Sequence, residues 1–178
     1  MYRTHNNGEL RLQDVNSEVT LCGWVAKRRN FGALVFIDLR DRYGITQLVF
    51  NEDLATQISD VRNEYVLQVK GTVVERKDKN PKLATGEIEV VVREVKIVNT
   101  AITTPMIIAD ETDALEDTRL KYRYLDLRRP VLQKNLILRN RITLLVRNYL
   151  AKYGFTEVET PILCRSTPEG ARDYLVPS

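Results

Sequence analysis

The sequence predicts a small all-β barrel in the first part of the chain, followed by the start of an α+β domain. In residues 1–105, five segments alternate apolar and polar side chains with the period of two that is typical of β-strands. A short segment between the third and fourth of these has a helical period instead. The resulting order, β-β-β-α-β-β within about 100 residues, is that of a five-stranded Greek-key OB-fold barrel.

Three strands are predicted before the helical segment. Val19–Ala26 alternates strictly, and Leu34–Arg40 does so again after a polar, basic break, with Phe36 on its polar face. A glycine-bearing turn at residues 41–44 leads into the third strand, Ile45–Phe50. The second and third strands should therefore form a meander.

The other elements of the first domain follow from changes of period. Residues 51–53 carry two carboxylates that suit a helix N-terminus, and the apolar residues behind them recur at helical spacing: Leu54, Ile58 and Val61. Two β-branched runs, Tyr65–Glu75 and Glu87–Val98, then predict the fourth and fifth strands. The loop between them, residues 76–82, is polar and rich in lysine.

The composition is that of a globular protein with a sizeable core. Of 178 residues, 43% are hydrophobic and 29% charged, which argues against disordered, low-complexity and collagen-like classes. The longest apolar runs are far shorter than the roughly 20 residues that cross a bilayer, and the first 18 residues are mostly polar. We therefore expect no membrane segment, no secretory signal and a cytoplasmic location. Two cysteines and one histidine exclude a zinc-ligand set of the usual spacing, so no metal site is predicted.

The net charge of +3 is divided unevenly along the chain. Residues 1–118 hold 15 basic and 19 acidic side chains, a net charge of −4, whereas residues 119–178 hold 12 and 5, a net charge of +7. An acidic run without basic residues, Ile107–Thr118, follows Pro105. We therefore expect a first domain over residues 1–105, a linker or hinge over 106–130, and the truncated start of a second domain over 131–178.

The second domain should begin with one long amphipathic helix. Pro130 suits its first position and Gly154 its stop, and an apolar stripe recurs between them: Leu138, Ile142, Leu145 and Tyr149. Phe155–Leu163 then predicts an extended strand, which Pro161 restricts to an edge or an interface because proline cannot donate to the ladder. The stripe requires a partner, either a second copy of the chain or the rest of the same domain.

Basic and aromatic side chains coincide at the places where OB folds contact nucleic acid, namely the face of strands two and three and the loops joining strands one to two and four to five. Phe36 lies on that face, where its ring can stack on a base while cations hold phosphates. The first loop carries Lys27, Arg28 and Arg29, and the second carries Arg76, Lys77, Lys79 and Lys82. The alternative is that both loops are soluble turns and Phe36 is an isolated exposed aromatic residue. The coincidence favours a domain that binds single-stranded nucleic acid.

Five ordered blocks spread over the chain carry a resemblance to a known family. They are LCGWV (Leu21–Val25), FIDLRDR (Phe36–Arg42), ATGEIEV (Ala84–Val90), LKYRYLDLRRP (Leu120–Pro130) and TPEGARDYLVPS (Thr167–Ser178). In these blocks the sequence resembles the class II aminoacyl-tRNA synthetases of the aspartate, asparagine and lysine subgroup, and within it the bacterial-type aspartyl enzymes. The last two blocks point to the aspartate type, because the lysine and asparagine relatives diverge there.

The resemblance implies an OB-fold domain that reads the anticodon of aspartate tRNA, a hinge, and the first helix and strand of an α+β class II catalytic domain. Members of the family are homodimers that activate L-aspartate with ATP, assisted by Mg²⁺, and then transfer it to aspartate tRNA. Their ATP-binding motifs 2 and 3 would lie beyond Ser178. We therefore expect an N-terminal portion of such a ligase, inactive alone and without bound ATP or Mg²⁺.

The resemblance also implies roles for individual residues. Phe36 would stack on the central anticodon base, and Gln47 would hydrogen-bond the edge of that base. Contacts to the flanking bases and the backbone are expected at Arg29, Arg76, Asn80 and Glu89, and phosphate contacts at Lys27, Arg28 and Lys77. In the second domain, Pro161 would lie in the dimer interface, and Glu169, in a loop that closes over the amino acid, would help to hold L-aspartate. No catalytic residue is expected within the chain.

Two interpretations of the function remain open at this point. The first is the N-terminal portion of an aspartate-specific ligase, and the second is a free-standing OB-fold module that binds tRNA or another RNA without catalysis. A relative of the lysine or asparagine type is a third possibility. An alternative for Glu89 is an exposed strand carboxylate, and from the residues alone Glu169 could equally be an ordinary loop carboxylate.

Overall fold

A computed structural model describes residues 2–32 and 34–163 of the chain. The chain divides into two compact units, Met1–Pro105 and Met106–Ser178. The block Thr167–Ser178, with Glu169 in its predicted closing loop, lies outside the described residues.

The first unit is a closed β-barrel. Its strands are β1 (Glu18–Phe31), β2 (Leu34–Arg40), β3 (Ile45–Phe50), β4 (Val66–Glu75) and β5 (Ile88–Asn99), with a short helix α1 (Glu52–Ala55) between β3 and β4. Neighbours follow the order β1-β2-β3-β5-β4, and β4 pairs back onto β1. The β3–β5 pair is parallel and the other pairs are antiparallel. The predicted OB-fold barrel is thereby confirmed.

β1 is longer than the sequence pattern predicted, because its basic end still pairs with β2. The prediction ended the strand at Ala26 and wrongly assigned to a loop the residues Lys27, Arg28 and Arg29. A bulge after Val25 shifts the register, and pairing with β2 then continues to Phe31, opposite Leu34. Lys27 and Arg29 are compatible with this part of the strand because they lie on the face that is turned away from the core.

Alternate strand residues fill the barrel interior. In β2, Val35, Ile37 and Leu39 are buried, whereas the residues between them are partly exposed. Leu21 and Val25 of β1 belong to the same core cluster. Full burial of one such side chain contributes about 1.5–3 kcal/mol, so the alternation fixes which strand face points inward.

The helix α1 is one turn long and has the predicted N-terminal signal. The side chain of Asn51 accepts a hydrogen bond from the backbone N–H of Leu54 (3.2 Å). The chain then continues as turns, in which Ile58 and Val61 are buried in the barrel core. The helical spacing therefore identified the buried residues, although only the first turn is α-helical.

Asp41 fixes the β2–β3 turn and the segment before β1. Its carboxylate accepts hydrogen bonds from the backbone N–H groups of Tyr43 (2.7 Å), Gly44 (3.1 Å) and Asn7 (3.0 Å). The hydroxyl of Thr46 donates to the carbonyl of Asn7 (2.7 Å). The start of the chain is therefore held against this end of the barrel.

The second unit begins with two short helices, α2 (Glu116–Lys121) and α3 (Arg123–Asp126), in the segment that was expected to form a linker. Met106, Ile108 and Leu125 form a small buried core there.

The buried carboxylate of Asp126 accepts hydrogen bonds from three arginines, namely Arg119 (3.1 Å), Arg123 (2.5 Å) and Arg129 (3.0 Å). Burial by itself raises the pKa of Asp126, but the hydrogen bonds and charges of these arginines outweigh it and hold the pKa below its usual value.

Arg129 connects this cluster to the long helix α4 (Pro130–Lys152). Its guanidinium also donates to the backbone carbonyls of Ala109 (2.8 Å) and Asp110 (2.6 Å). The carboxylate of Asp110 in turn accepts from the backbone N–H of Val131 (2.8 Å), in the first turn of α4. Acidic and basic residues that looked like a solvated hinge therefore hold the start of α4 in place.

The ends of α4 agree with the sequence signals. Pro130 occupies the first helical position. At the other end Gly154 has a φ of 83°, and the N–H groups of Gly154 and Phe155 donate to the carbonyls of Ala151 (3.0 Å) and Leu150 (3.2 Å), which is a Schellman motif. The predicted apolar stripe is between 53% and 68% exposed: Leu138, Ile142, Leu145 and Tyr149. None of the helices in the described ranges is both long and apolar enough to cross a bilayer.

Residues 155–163 do not form the predicted strand. Within the described part of the second unit these residues pair with no strand. Glu157 forms an ion pair with Arg147 of α4 (2.8 Å). A strand needs a neighbour that takes up its backbone hydrogen bonds, and no strand of the described second unit supplies one. Pro161 is exposed in this segment.

We expect Asp126→Asn to loosen the second unit in a pH-dependent way. Because the pKa of Asp126 is lowered in the folded chain, its contribution is fully present above the unfolded value of about 3.9 and is lost as the pH falls through the lower folded value. Hydrogen-exchange protection of residues 116–131 should therefore be lower in the variant at pH 7, and the difference should shrink as the pH is lowered towards 2. Asp117→Asn, at an exposed position of α2, is the control and should match the wild type. Equal protection of all three proteins at pH 7 would contradict the prediction.

Candidate nucleic-acid interface

A groove on the outer face of the barrel combines aromatic, amide and charged side chains. Its volume is about 590 Å³. Strands β1 to β3 contribute Arg29, Phe31, Leu34, Phe36, Gln47 and Val49, and the β4–β5 loop and β5 contribute Arg76, Lys77, Asp78 and Glu89. Of the six residues expected to contact the anticodon, five therefore line one groove, namely Arg29, Phe36, Gln47, Arg76 and Glu89.

The strand register explains why these residues meet. Arg29 of β1 is opposite Phe36 of β2, and Phe36 is opposite Val49 of β3. Two residues further along, Asp38 is opposite Gln47. Directly paired residues have their side chains on the same face of a sheet, so these side chains all lie on the face turned away from the core.

A chain of hydrogen bonds crosses the groove. Nη2 of Arg29 donates to Oδ1 of Asp38 (2.5 Å) and to Oε1 of Gln47 (3.1 Å). Nε2 of Gln47 donates to Oε2 of Glu89 (2.7 Å). Gln47 is only 6% exposed, so its amide is held between a cationic and an anionic partner.

Asp38, to which the sequence assigned no role, is bonded to the groove residue Arg29. Its side chain is 17% exposed, and burial raises its pKa above the usual value although the charges of Arg29, Arg76 and Lys27 oppose this. As a polar member of an amphipathic strand it resembled a solvated residue. The sequence did show that Asp38 follows Phe36 by two residues and therefore lies on the same face of the strand.

Phe31 and Phe36 form the apolar part of the groove. Their rings are in edge-to-face contact, with a centroid distance of 5.7 Å and an interplanar angle of 84°. Phe31 is 65% exposed, and Leu34 and Val49 extend the apolar surface. Such a surface allows a planar base to stack. Sequence reasoning missed Leu34 and Val49, although each is two residues from a predicted groove residue on the same hairpin.

The β4–β5 loop, which brings cations to the groove, is anchored at its base. The N–H of Asn80 donates to the carbonyl of Gly86 (2.9 Å), and a Cβ at Gly86 would lie 1.8 Å from the carbonyl oxygen of Asn80, so only glycine fits. Thr85 is 3% exposed and donates its hydroxyl to the carbonyl of Ile45 at the start of β3. The loop is therefore attached to the hairpin that carries the aromatic rings.

The remaining predicted contact residues occupy different positions. Lys77 lines the groove, and Lys27 is exposed on the outer face of β1. Arg28 is opposite the core residue Ile37, so it lies on the other face of β1 and is not brought together with the groove residues. The side chain of Asn80 accepts a hydrogen bond from the next-but-one backbone N–H (3.1 Å) and stabilises the loop.

These groups are suited to single-stranded nucleic acid. Aromatic rings stack bases, an amide reads their edges by donating and accepting hydrogen bonds, and basic side chains at the rim hold phosphates. Among residues 2–32 and 34–163 there is no group of three or more His, Cys, Asp or Glu side chains that could hold a metal ion.

Two family models match consecutive parts of the chain. Residues 19–98 match the OB-fold nucleic acid binding domain, and residues 115–178 match the tRNA synthetases class II of the D, K and N type. Residues 19–98 therefore match a nucleic-acid-binding domain, and it lies ahead of a segment that matches the class II synthetases of the D, K and N type.

The relatives with similar sequences are of the aspartate type. The aspartate–tRNA ligase of Bacteroides thetaiotaomicron is 56% identical over 182 residues, which include all of this chain and 31% of that protein. The aspartate–tRNA ligase of Mycoplasma mycoides is 55% identical over 178 residues, again with all of this chain and 31% of the relative. The resemblance to aspartyl enzymes is confirmed, and the chain spans 31% of the length of these curated relatives.

Solved structures show the same fold. An aspartyl-tRNA synthetase from Entamoeba histolytica superposes with a TM-score of 0.82 at 21% identity, over 89% of this chain and 39% of that one. An asparaginyl-tRNA synthetase from Pyrococcus horikoshii superposes with a TM-score of 0.77 at 24% identity, over 91% of this chain and 37% of that one. The arrangement of strands and helices is thus shared with synthetases of distant sequence.

We expect Thr85→Val to lower the stability of the barrel and loosen the β4–β5 loop. Valine has nearly the same shape but leaves the carbonyl of Ile45 without its donor, which costs about 1–3 kcal/mol. Thr72→Val is the matched control, because the hydroxyl of Thr72 is buried without a hydrogen-bond partner among the described residues. Urea unfolding should give a lower free energy of unfolding for Thr85→Val and an unchanged or higher one for Thr72→Val. The same loss in both variants would show that the Thr85 hydroxyl has no special role.

Proposed function

We propose that the first unit reads the anticodon of aspartate tRNA for an aspartate–tRNA ligase. The observation that carries the proposal is the groove, in which the ring of Phe36 lies beside the buried amide of Gln47. The match of residues 19–98 to an OB-fold nucleic-acid-binding domain supports a nucleic acid as the ligand. The 56% identity to an aspartate–tRNA ligase supports aspartate tRNA as that nucleic acid.

The central anticodon base stacks on Phe36, and Gln47 reads its edge. A side-chain amide has two N–H donors and two acceptor lone pairs, of which Gln47 uses one each for Arg29 and Glu89. One donor and one acceptor remain for the base. Arg29 and Arg76 donate to the flanking bases and the backbone, and Glu89 accepts from an amino group such as that of cytosine.

Cations at the rim hold the phosphates. Lys77 lines the groove and Lys27 is exposed on the same side of β1, so both can approach a strand that runs through it. Asn80 contributes through the conformation of the β4–β5 loop. Arg28 faces away from the groove and is left out of this contact set.

The whole ligase activates L-aspartate with ATP and Mg²⁺ and transfers it to aspartate tRNA in the cytoplasm, and the second unit belongs to the part that carries out this reaction. The match of residues 115–178 to class II synthetases supports this and disfavours an OB-fold module that only binds RNA. The exposed stripe of α4 supports a homodimer in which the stripe and Pro161 are covered by a second copy. Glu169 holds the L-aspartate substrate.

Phe36→Ala should weaken binding of the anticodon stem-loop of aspartate tRNA by about 1–3 kcal/mol, because one stacking surface is lost. Tyr43→Ala is the control, since Tyr43 is a 53% exposed ring in the turn at the other end of the β2–β3 hairpin. Fluorescence anisotropy with a labelled stem-loop measures both. An unchanged affinity for Phe36→Ala would remove this residue from the site and with it the proposal.

Lys77→Gln should weaken binding to stem-loops of any sequence and flatten the dependence on salt. Each lost phosphate contact reduces the slope of log K against log salt by about 0.7–0.9. Arg28→Gln removes an arginine from the opposite face of β1 and should keep the wild-type slope. If Lys77→Gln instead changed the preference between bases and kept the wild-type slope of log K against log salt, Lys77 would contact a base rather than a phosphate.

A further inference from the structure

We propose that Asp38 is a positioning residue for anticodon reading, which holds Arg29 so that Arg29 orients the amide of Gln47. Asp38 is directly opposite Gln47 on the β2–β3 pair, and its carboxylate contacts the guanidinium of Arg29 rather than the amide. The inference rests on the proposed function, because Gln47 is the residue that reads the base there.

The orientation of the Gln47 amide follows from its two neighbours. An arginine can only donate hydrogen bonds and an ionised glutamate can only accept them. Oε1 of Gln47 therefore faces Arg29 (3.1 Å) and Nε2 faces Glu89 (2.7 Å). The reverse orientation would place two donors against each other at Arg29 and two acceptors at Glu89. The N–H group and the acceptor lone pair that Gln47 does not use for these bonds therefore have one fixed arrangement relative to a base.

Asp38 dominates the position of Arg29. The same Nη2 atom contacts Asp38 at 2.5 Å and Gln47 at 3.1 Å. The bond to Asp38 joins two opposite charges, whereas in the bond to Gln47 only the donor is charged, so the carboxylate decides where the guanidinium lies. Nε of Arg29 is buried without a partner among the described residues, which leaves the terminal bonds to hold the side chain. Without Asp38, Arg29 is free to turn towards solvent and Gln47 loses the neighbour that fixes its acceptor end.

A carboxylate at this place needs such a role, because it opposes the other properties of the groove. Burial raises the pKa of Asp38, so the surroundings disfavour its charge. Its negative charge also repels a phosphate backbone that Arg76 and Lys77 attract. Removing the charge should therefore have two effects of opposite sign: a gain in affinity that is common to all sequences, because a repulsive charge is lost, and a loss of the contact that favours the natural base.

The test compares Asp38→Asn with the wild-type 178-residue chain. Four anticodon stem-loops of aspartate tRNA are used, one with the natural central base and three in which another base replaces it. Fluorescence anisotropy gives the ratio of the affinity for the natural stem-loop to the affinity for each of the other three. We expect Asp38→Asn to reduce this ratio by about tenfold, the value of one good contact to a base edge. At low salt the affinity for the three other stem-loops should rise by about two- to fivefold because a repulsive charge is lost, and the affinity for the natural stem-loop should fall by about two- to fivefold because its contact is lost as well.

Asp78→Asn is the matched control. Asp78 is exposed, lines the same groove and is outside the bonds that join Asp38, Arg29, Gln47 and Glu89. Its replacement removes the same charge, so affinity should rise similarly while the ratio remains at the wild-type value. Equal loss of the ratio in both variants would assign the effect to charge alone and overturn the inference.

Two further variants complete the test. Asp38→Glu keeps the charge but displaces the carboxylate, so we expect it to reduce the ratio by about threefold. If thermal melting shows that Asp38→Asn is unfolded, Asp38→Glu still tests the inference. In an Arg29→Gln background, Asp38→Asn should cause no further loss of the ratio, because Asp38 acts through Arg29. If the wild-type chain does not distinguish the central bases, the proposed function fails. If it does, and Asp38→Asn and Asp38→Glu keep its ratio, only the role of Asp38 fails.

Discussion

Closure of the barrel is the constraint on which the groove depends. It requires two close approaches of strands, since a Cβ on Gly23 would lie 2.5 Å from the carbonyl oxygen of Arg40 and one on Gly71 would lie 2.3 Å from that of Val91. Only when β3 and β5 are neighbours can Gln47 reach Glu89, which is 42 residues further along the chain. The groove is therefore a product of the topology, and no single strand or loop contains it.

Each unit uses a carboxylate to hold arginine, with opposite electrostatic results: Asp126 is buried and Asp38 is partly buried. Asp126 accepts hydrogen bonds from three arginines, which outweigh the effect of burial and lower its pKa. Asp38 accepts from Arg29, and burial outweighs that contact and raises its pKa. The hydrogen bonds from three arginines therefore outweigh burial at Asp126, whereas the single arginine bond of Asp38 does not.

Sequence reasoning was accurate where side chains enter a core and less so elsewhere. The alternation in β2 and β3 gave the correct bounds for both strands, because their inner residues are buried. The end of β1 was missed because its charged residues do not alternate with apolar ones, although they pair with β2. The failure at residues 155–163 has a different cause, because a strand requires a neighbour that local sequence does not specify. Asp38 was overlooked because only the register shows that it meets Arg29.

The pleat of the strands has a consequence for how this surface can change over time. Positions that build the core, such as Ile37 and Leu39, alternate along β2 with positions on the outer face, such as the groove residue Phe36 and Asp38, which is bonded to the groove residue Arg29. The side chains of the second set point away from the core that the first set fills. A barrel of this kind can therefore acquire a new ligand by drift at outward positions alone, while selection for folding acts on the inward ones.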